Sequence, residues 1–146
     1  MTTPAADTPR VRLSPWHEAL VLGVLAGLLA SGLVWLALHF LSDPALMDAH
    51  PAQAWSLRLH GGLAMLALVL VGSLLPRHVL GAWRLRRNRS SGVALLATLG
   101  MLAASGWLLY YAGSPTLRDW GAWGHWAAGL LTPALVAWHL RARRRR

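Results

Sequence analysis

Histidine is the residue type with the most chemistry to offer in this chain. The sequence contains no cysteine, which excludes disulfides, iron–sulfur clusters, thiolate zinc sites and covalent c-type haem attachment on this chain. A redox or metal centre would therefore depend on histidine, methionine or carboxylate side chains. The seven histidines are His17, His39, His50, His60, His78, His125 and His139.

Four of these histidines form two sets with helical spacing. His60 and His78 are 78 − 60 = 18 positions apart, and His125 and His139 are 139 − 125 = 14 apart. At about 100° per residue, 18 positions return to the same face of an α-helix and 14 positions fall within about 40° of it. Each of two predicted helices therefore presents one histidine near each of its ends, on a shared face.

The depth of these histidines predicts two facing pairs, provided that the two helices run parallel. His60 is then expected opposite His125, and His78 opposite His139. Two facing imidazoles are what a six-coordinate b-type haem requires. The two levels would be about 21 to 27 Å apart at the α-helical rise per residue, so two haem b groups could lie one above the other.

Three alternatives to haem ligation bear on these histidines. A single histidine at a helix end is usually an interfacial residue that reaches water, but four matched in depth and face favour ligation. Zinc fits less well, because zinc prefers three or four protein ligands and no carboxylate lies on these faces. Pro76 can end or kink the helix before His78. This weighs against the pair His78 and His139, which we call the inner pair, more than against the pair His60 and His125, which we call the outer pair.

Four apolar blocks would position the histidines. They span about 16–41, 55–75, 92–112 and 121–140, each close to the roughly 20 residues that cross a hydrocarbon core. The composition agrees, being 55% hydrophobic and 13% charged. We predict an all-α integral membrane bundle of four transmembrane helices. Its domain would cover 14–142, between a cytoplasmic tail at 1–13 and a basic tail at 143–146.

The arginines predict the orientation of this bundle. All 14 basic residues are arginine, the net charge is +9, and the arginines cluster before the first block, at 76–91 and at the C-terminus. Arginine at block edges marks the cytoplasmic side of a membrane protein rather than a nucleic-acid interface. Both termini and the 76–91 loop are therefore expected in the cytoplasm of a bacterium, with 42–54 and 113–120 outside the inner membrane. The second and fourth helices then run parallel, as the pairing requires.

Other polar residues near the two levels are further candidates. Propionate partners are expected among the nearby arginines Arg58 and Arg118 at the outer level and Arg77 and Arg141 at the inner level. His17 beside Glu18 is either a proton-handling pair near a quinone or an interfacial cap. His39 is a candidate for contact with a quinone or a haem edge, and His50 is expected to be solvated.

The chain resembles the four-helix bacterial membrane cytochromes b, the broad group of cytochrome b561 and hydrogenase-type cytochrome b. Four stretches carry the resemblance, which covers the chain from about residue 14 to its end: LRLHGGLAMLALVLVGSLLPRH from Leu57, GAWRLRRNRSSG from Gly81, WLLYYAGSPTLRDW from Trp107 and HWAAGLLTPALVAWH from His125. Many members use a first-helix histidine as a ligand, whereas here the histidines of the first helix lie at its extremities.

The resemblance implies two b haems between the helices and electron exchange with the quinone pool. The function expected is an electron relay between quinone and a redox partner. That partner would be another subunit of a respiratory or electron-transfer complex or a periplasmic cytochrome c, and any catalytic role would be quinol oxidation or quinone reduction. The alternatives are a self-contained superoxide–quinone oxidoreductase on the same scaffold and a haem-free membrane anchor or assembly subunit.

Overall fold

The computed structural model describes residues 13–41, 50–86 and 88–144, without the side chain of Arg144. Within these ranges every regular element is helical. The helices are α1 (Pro15–Leu41), α2 (Pro51–Leu74), α3 (Leu80–Arg84), α4 (Arg89–Tyr111) and α5 (Pro115–Arg144). The predicted N-terminal tail before residue 13, the loop residues 42–49 with Asp48, and the last two arginines lie outside the described residues.

Three helices begin at a proline, and two of them therefore start earlier than the apolar blocks. Pro15, Pro51 and Pro115 are the first residues of α1, α2 and α5. Proline suits this position because its missing N–H would have no partner in the first turn and its φ is already helical. The apolar spans predicted from about 55 and 121 begin inside these helices, because polar helical turns project beyond the apolar stretch. The turn between α4 and α5 is correspondingly short.

A π turn joins α2 to α3, where the sequence suggested that the second helix ends. Residues Leu75–Val79 form this turn, and the N–H of Leu80 donates to the carbonyl of Leu75. Pro76 has no N–H and would crowd the preceding turn of a regular helix, and a wider turn accommodates it. The helix therefore continues through His78 to Arg84 instead of ending at Pro76.

The four long helices form two antiparallel hairpins. We call α1 with α2 the first hairpin and α4 with α5 the second hairpin; backbones approach closely mainly within each hairpin. Glycines allow this approach: a Cβ added at Gly27 would lie 2.9 Å from Leu63 Cδ1, and one at Gly121 would lie 3.0 Å from Leu108 Cδ2. The hairpins face each other through side chains, so a site between them can be lined by residues from both.

The distribution of apolar side chains is the reverse of that in a water-soluble domain. Among the described residues, Val24 and Ala128 are the only buried hydrophobic ones, whereas Phe40, Met65 and Val69 are exposed by 62%, 69% and 69%. Ser31, Ser56, Ser91 and Thr132 are buried between the helices. Large apolar side chains directed outward require an apolar solvent, which indicates a membrane protein.

Helix length and composition support membrane crossing for three helices. Within the described part of the chain, Pro15–Leu41, the continuous helix Pro51–Arg84 and Arg89–Tyr111 are long and apolar enough to span a bilayer. The 30-residue α5 does not reach the same apolar content. It has charged residues at both ends, and its middle carries tryptophan, histidine, threonine and proline, which score as less apolar.

Candidate functional site

The outer histidine pair lies between the two hairpins. His60 comes from α2 and His125 from α5, and their ring centroids are 6.1 Å apart with an angle of 66° between the ring planes. Both rings are only partly exposed. The structure thus brings together the two histidines that helix spacing predicted to face each other, on helices from opposite halves of the chain.

The inner pair repeats this geometry at the other end of the bundle. His78, in the π turn, and His139, on α5, have ring centroids 6.2 Å apart and planes inclined by 70°. The two pairs are separated along α5 by 14 residues, or about 21 Å of helix. The structure therefore holds two nearly identical imidazole pairs at different depths.

Serine hydroxyls on neighbouring helices contact three of the four imidazoles. Ser31 Oγ of α1 lies 3.0 Å from His60 Nδ1, and Ser105 Oγ of α4 lies 2.9 Å from His125 Nδ1. Ser91 Oγ, also on α4, lies 3.1 Å from His139 Nδ1. Each ring is thereby tied through one nitrogen to the other helix of its own hairpin, which leaves Nε2 for an interaction across the hairpins.

The glycine after each of these serines makes room for the ring. A Cβ added at Gly32 would lie 3.3 Å from His60 Cε1, one at Gly106 would lie 3.6 Å from His125 Cε1, and one at Gly92 would lie 3.7 Å from His139 Cε1. The first distance is tighter than an ordinary van der Waals contact. The imidazole edges thus pack directly against the backbone of the Ser–Gly steps.

The spacing of both pairs fits two axial imidazoles on one metal. A metal-bound imidazole nitrogen lies about 2 Å from the metal and about 1 Å from its own ring centre, so two such rings on opposite sides of one iron have centres about 6 Å apart. An ordinary aromatic pair can have the same spacing. The serine contacts favour ligation, because they occupy Nδ1 and leave Nε2, the usual axial ligand atom, with the second role.

Each pair supplies two protein ligands and no more. Within the described ranges, no group of three or more His, Cys, Asp or Glu side chains is close enough together to hold a metal ion. A metal bound at either pair would need its remaining ligands from a non-protein group. A macrocycle that provides four equatorial nitrogens meets this requirement.

Small side chains occupy the helix faces between the two levels. On α2 these are Ala64, Ala67 and Val71, and on α5 they are Gly129, Thr132 and Val136. All are buried or half-buried. Side chains of this size leave room beside the histidines for a flat macrocycle. The structure shows that the set faces the interior of the bundle rather than the outer surface.

An aromatic cluster adjoins the outer pair and includes His39. The imidazole of His39 stacks on Trp35 with ring centroids 4.9 Å apart, and it lies 6.0 Å from the ring of Trp126. Phe40 and Trp123 also contact Trp126, with centroids 5.7 Å and 5.2 Å away. Since Trp126 follows His125 directly, His39 lies near the outer site but is already engaged with aromatic rings.

The two sequence candidates at the start of α1 have different surroundings. His17 is exposed, and its Nδ1 lies 2.6 Å from Ser14 Oγ. Glu18 forms a bidentate ion pair with Arg143 of α5, with N–O distances of 2.8 and 3.0 Å. This hydrogen-bonded carboxylate raises the pKa of Arg143. The pair ties the inner end of the first hairpin to the second hairpin.

A cavity opens beside Glu18 at the inner end of the bundle. It has a volume of about 650 Å³ and is lined by Leu13, Pro15, Glu18, Ala19 and Leu22. Its wall is mainly apolar with one carboxylate. The cavity is open to the outside, and the residues that line it belong to α1 or directly precede it.

The arginines predicted as propionate partners are all on the surface. Arg58, Arg77, Arg118 and Arg141 are exposed, and the guanidinium of Arg58 lies 4.9 Å from the ring centre of Trp55. His50 does more than the sequence suggested: its Nδ1 accepts a hydrogen bond of 3.2 Å from the N–H of Ala52 and caps α2.

The serines are the site residues that histidine spacing alone missed. A signal for two of them was present, since Ser91 and Ser105 are 105 − 91 = 14 positions apart, the same separation as His139 and His125. Equal spacings on adjacent antiparallel helices keep side chains in register, so this match predicts two serine–histidine contacts.

The chain matches no protein-family model, no curated protein and no solved structure.

Proposed function

We propose that the protein is a membrane cytochrome of the b type that holds two haems and relays electrons between the quinone pool and a redox partner. The observation that carries the proposal is the repetition of one geometry, two imidazoles facing each other about 6 Å apart, at two depths of an apolar helical bundle. Unrelated interfacial histidines have no physical reason to repeat this arrangement.

The residues divide into two sites. His60 and His125 would be the axial ligands of an outer haem, and His78 and His139 those of an inner haem. A bound haem supplies one-electron redox chemistry. The protein supplies the ligand atoms and a fixed depth. It also limits contact with water, because the side chains between the pairs are buried or half-buried. The exposed arginines Arg58 and Arg118, and Arg77 and Arg141, are available for propionate groups at the respective levels.

The cavity beside Glu18 is the proposed position for a quinone. Its mainly apolar wall suits the ring and the isoprenoid tail of a quinone, and the carboxylate of Glu18 could take part in proton transfer to bulk water through the inner surface. Electrons would then leave or enter at the outer pair, which fits a partner such as a periplasmic cytochrome c or a second subunit of an electron-transfer complex.

The visible spectrum tests the haem assignment directly. We expect purified protein to bind two haem b groups with a low-spin spectrum, and a redox titration to resolve two midpoint potentials. A colourless protein, after expression with ample haem, would contradict the proposal and favour a haem-free membrane anchor. Rapid reduction of the haem by superoxide, without need of a protein partner, would instead favour a superoxide–quinone oxidoreductase.

We also propose that all four long helices cross a bacterial inner membrane with both termini in the cytoplasm. The paired histidines support a spanning α5. The helix that carries His60 and His78 is long and apolar enough to cross, and α5 places His125 and His139 opposite them at the same two depths. The orientation rests on the arginines near the inner ends of the helices. The turn between α4 and α5 would then face the periplasm.

The absence of native cysteine allows a simple test of this orientation. Gly113→Cys places a single thiol in the exposed turn between α4 and α5, where a Cβ has open space, and Leu85→Cys places one in the exposed turn after α3. In intact cells, a membrane-impermeant maleimide should label Gly113→Cys and not Leu85→Cys. Permeabilised cells should label both, and the opposite pattern in intact cells would exclude the orientation.

A further inference from the structure

The contact between serine and histidine is built in the same way three times. In each case a serine and the glycine after it lie on one helix of a hairpin, and the histidine lies on the other helix of the same hairpin. The three steps are Ser31–Gly32 against His60, Ser105–Gly106 against His125 and Ser91–Gly92 against His139. The same contact thus occurs once on α1 and twice on α4.

The direction of the serine hydroxyl decides the protonation of the imidazole. Ser31 Oγ donates to the carbonyl oxygen of Gly27 at 2.8 Å, and Ser105 Oγ donates to that of Met101 at 2.7 Å. A hydroxyl has one proton, and a backbone carbonyl can only accept. When the hydroxyl proton goes to that carbonyl, the serine oxygen is left as an acceptor toward Nδ1, and the facing Nδ1 atom then carries the imidazole proton.

The same reasoning applies to the inner pair at one of its two histidines. Ser91 Oγ is 3.3 Å from the carbonyl of Asn88 and 3.1 Å from His139 Nδ1. For His78, the buried Nδ1 has no hydrogen-bond partner among the described residues. Ser14, at the same end of the bundle, lies against His17 instead. The outer pair thus has two oriented imidazoles and the inner pair has one.

We propose that Ser31, Ser105 and Ser91 are positioning residues that hold their histidines as the Nδ1–H tautomer and so keep the Nε2 lone pair free for a metal. Nδ1–H donation to an oxygen also makes the opposite nitrogen a better ligand. The consequence for haem rests on the proposed function, whereas the tautomer is a property of the protein alone. His78, which lacks this contact, is the least constrained of the four ligands.

The tautomers can be measured without haem. In haem-free protein labelled with ¹⁵N-histidine and reconstituted in lipid, nitrogen chemical shifts distinguish a protonated Nδ1 from a protonated Nε2. We expect the Nδ1–H form at His60, His125 and His139, and a mixture at His78. Because the carbonyl of Leu28 also accepts from the His60 ring, Ser31→Ala should raise the Nε2–H fraction at His60 without abolishing the Nδ1–H form, and it should leave His125 unchanged. Ser31→Thr, which keeps the hydroxyl, should restore the original Nδ1–H fraction.

A matched serine provides the control. Ser73 of α2 is exposed and donates to its own helix at Leu70, 2.7 Å away, as the positioning serines do. Ser73→Ala should therefore leave all four histidine signals unchanged. The Nε2–H form at His60 in the unmodified protein, or an unchanged Nδ1–H form in Ser31→Ala with native helix content, would overturn the inference.

The haem-bound protein gives a second readout. Ser31→Ala is expected to weaken haem binding at the outer pair by about 10- to 100-fold, the usual effect of losing a partner of a metal ligand, and to raise the midpoint potential of that haem alone. Two haems bound with equal affinity in both proteins would contradict the positioning role. If the protein binds no haem but shows the expected tautomers, the proposed function fails and the positioning role stands.

Discussion

Each of the single substitutions His60→Ala and His125→Ala should remove the outer haem and leave the inner one. Both substitutions take away one of two axial ligands from the same iron, so we expect the haem content to fall to about half and one midpoint potential to disappear. The double variant should be no worse than either single variant, because the two histidines act as one unit. Haem extraction and redox titration measure both effects.

The matched control removes a histidine from outside the sites. His50 is exposed and caps α2 through its side chain, and asparagine is a favourable residue at a helix N-cap. His50→Asn should therefore retain both haems and both potentials. If His60→Ala and His125→Ala removed different haems, or if His50→Asn lost as much haem as they do, the assignment of the outer pair would be wrong.

Adding a large side chain at Gly32, beside His60, should reduce haem binding nearly as much as removing the histidine. Because a Cβ at Gly32 would lie 3.3 Å from His60 Cε1, Gly32→Leu has to displace the ring away from its position opposite His125. We expect loss of the outer haem and a decrease of about 1–3 kcal/mol in the free energy of unfolding, as is usual for overpacking. Gly32→Ala should have a smaller effect of the same kind.

Gly23 offers the comparison on the same helix. A Cβ at Gly23 meets nothing within 4 Å, and the residue is exposed, so Gly23→Leu adds an apolar side chain to the outer surface of α1. We expect native haem content and unchanged or slightly higher thermal stability in lipid or detergent. Similar losses of haem in Gly23→Leu and Gly32→Leu would show that the space beside His60 is not what matters.

Much of the helical architecture follows from where apolar residues begin and end. The four blocks predicted four long helices, and the structure contains them, because a bilayer-length apolar stretch has few other ways to satisfy its backbone hydrogen bonds. The ends of the helices depend on other signals. Pro51 and Pro115 begin helices in polar sequence, where hydropathy carries no signal and only the preference of proline for a first turn does.

The histidine pairs were predictable because spacing and direction suffice to place residues on parallel helices. The π turn was not, because the sequence shows only that Pro76 disturbs a helix, and a disturbed helix can end, kink or widen. Its effect on the site is direct. A π turn takes up one more residue per turn, so it shortens the rise between His60 and His78 and brings 18 residues closer to the 14-residue spacing of His125 and His139.

The serine contacts depend on a level of detail that one-dimensional patterns contain only in part. Ser31 and Ser105 each lie in a run of small residues, which is enough to predict close helix packing. That their hydroxyls reach an imidazole depends on the rotation of one helix against the other. Such rotation is set by the packing of all the side chains along the hairpin, so no short motif determines it.

Neither hairpin contains a complete site. Each pair takes one imidazole from the helix that contains α2 and its π turn and one from α5, and the tripeptide Ala-Ser-Gly occurs on α1 at 30–32 and on α4 at 104–106. A haem bound at each level would connect the two hairpins at two depths. Removing the haems should therefore lower the stability of the whole fold as well as remove the visible absorbance.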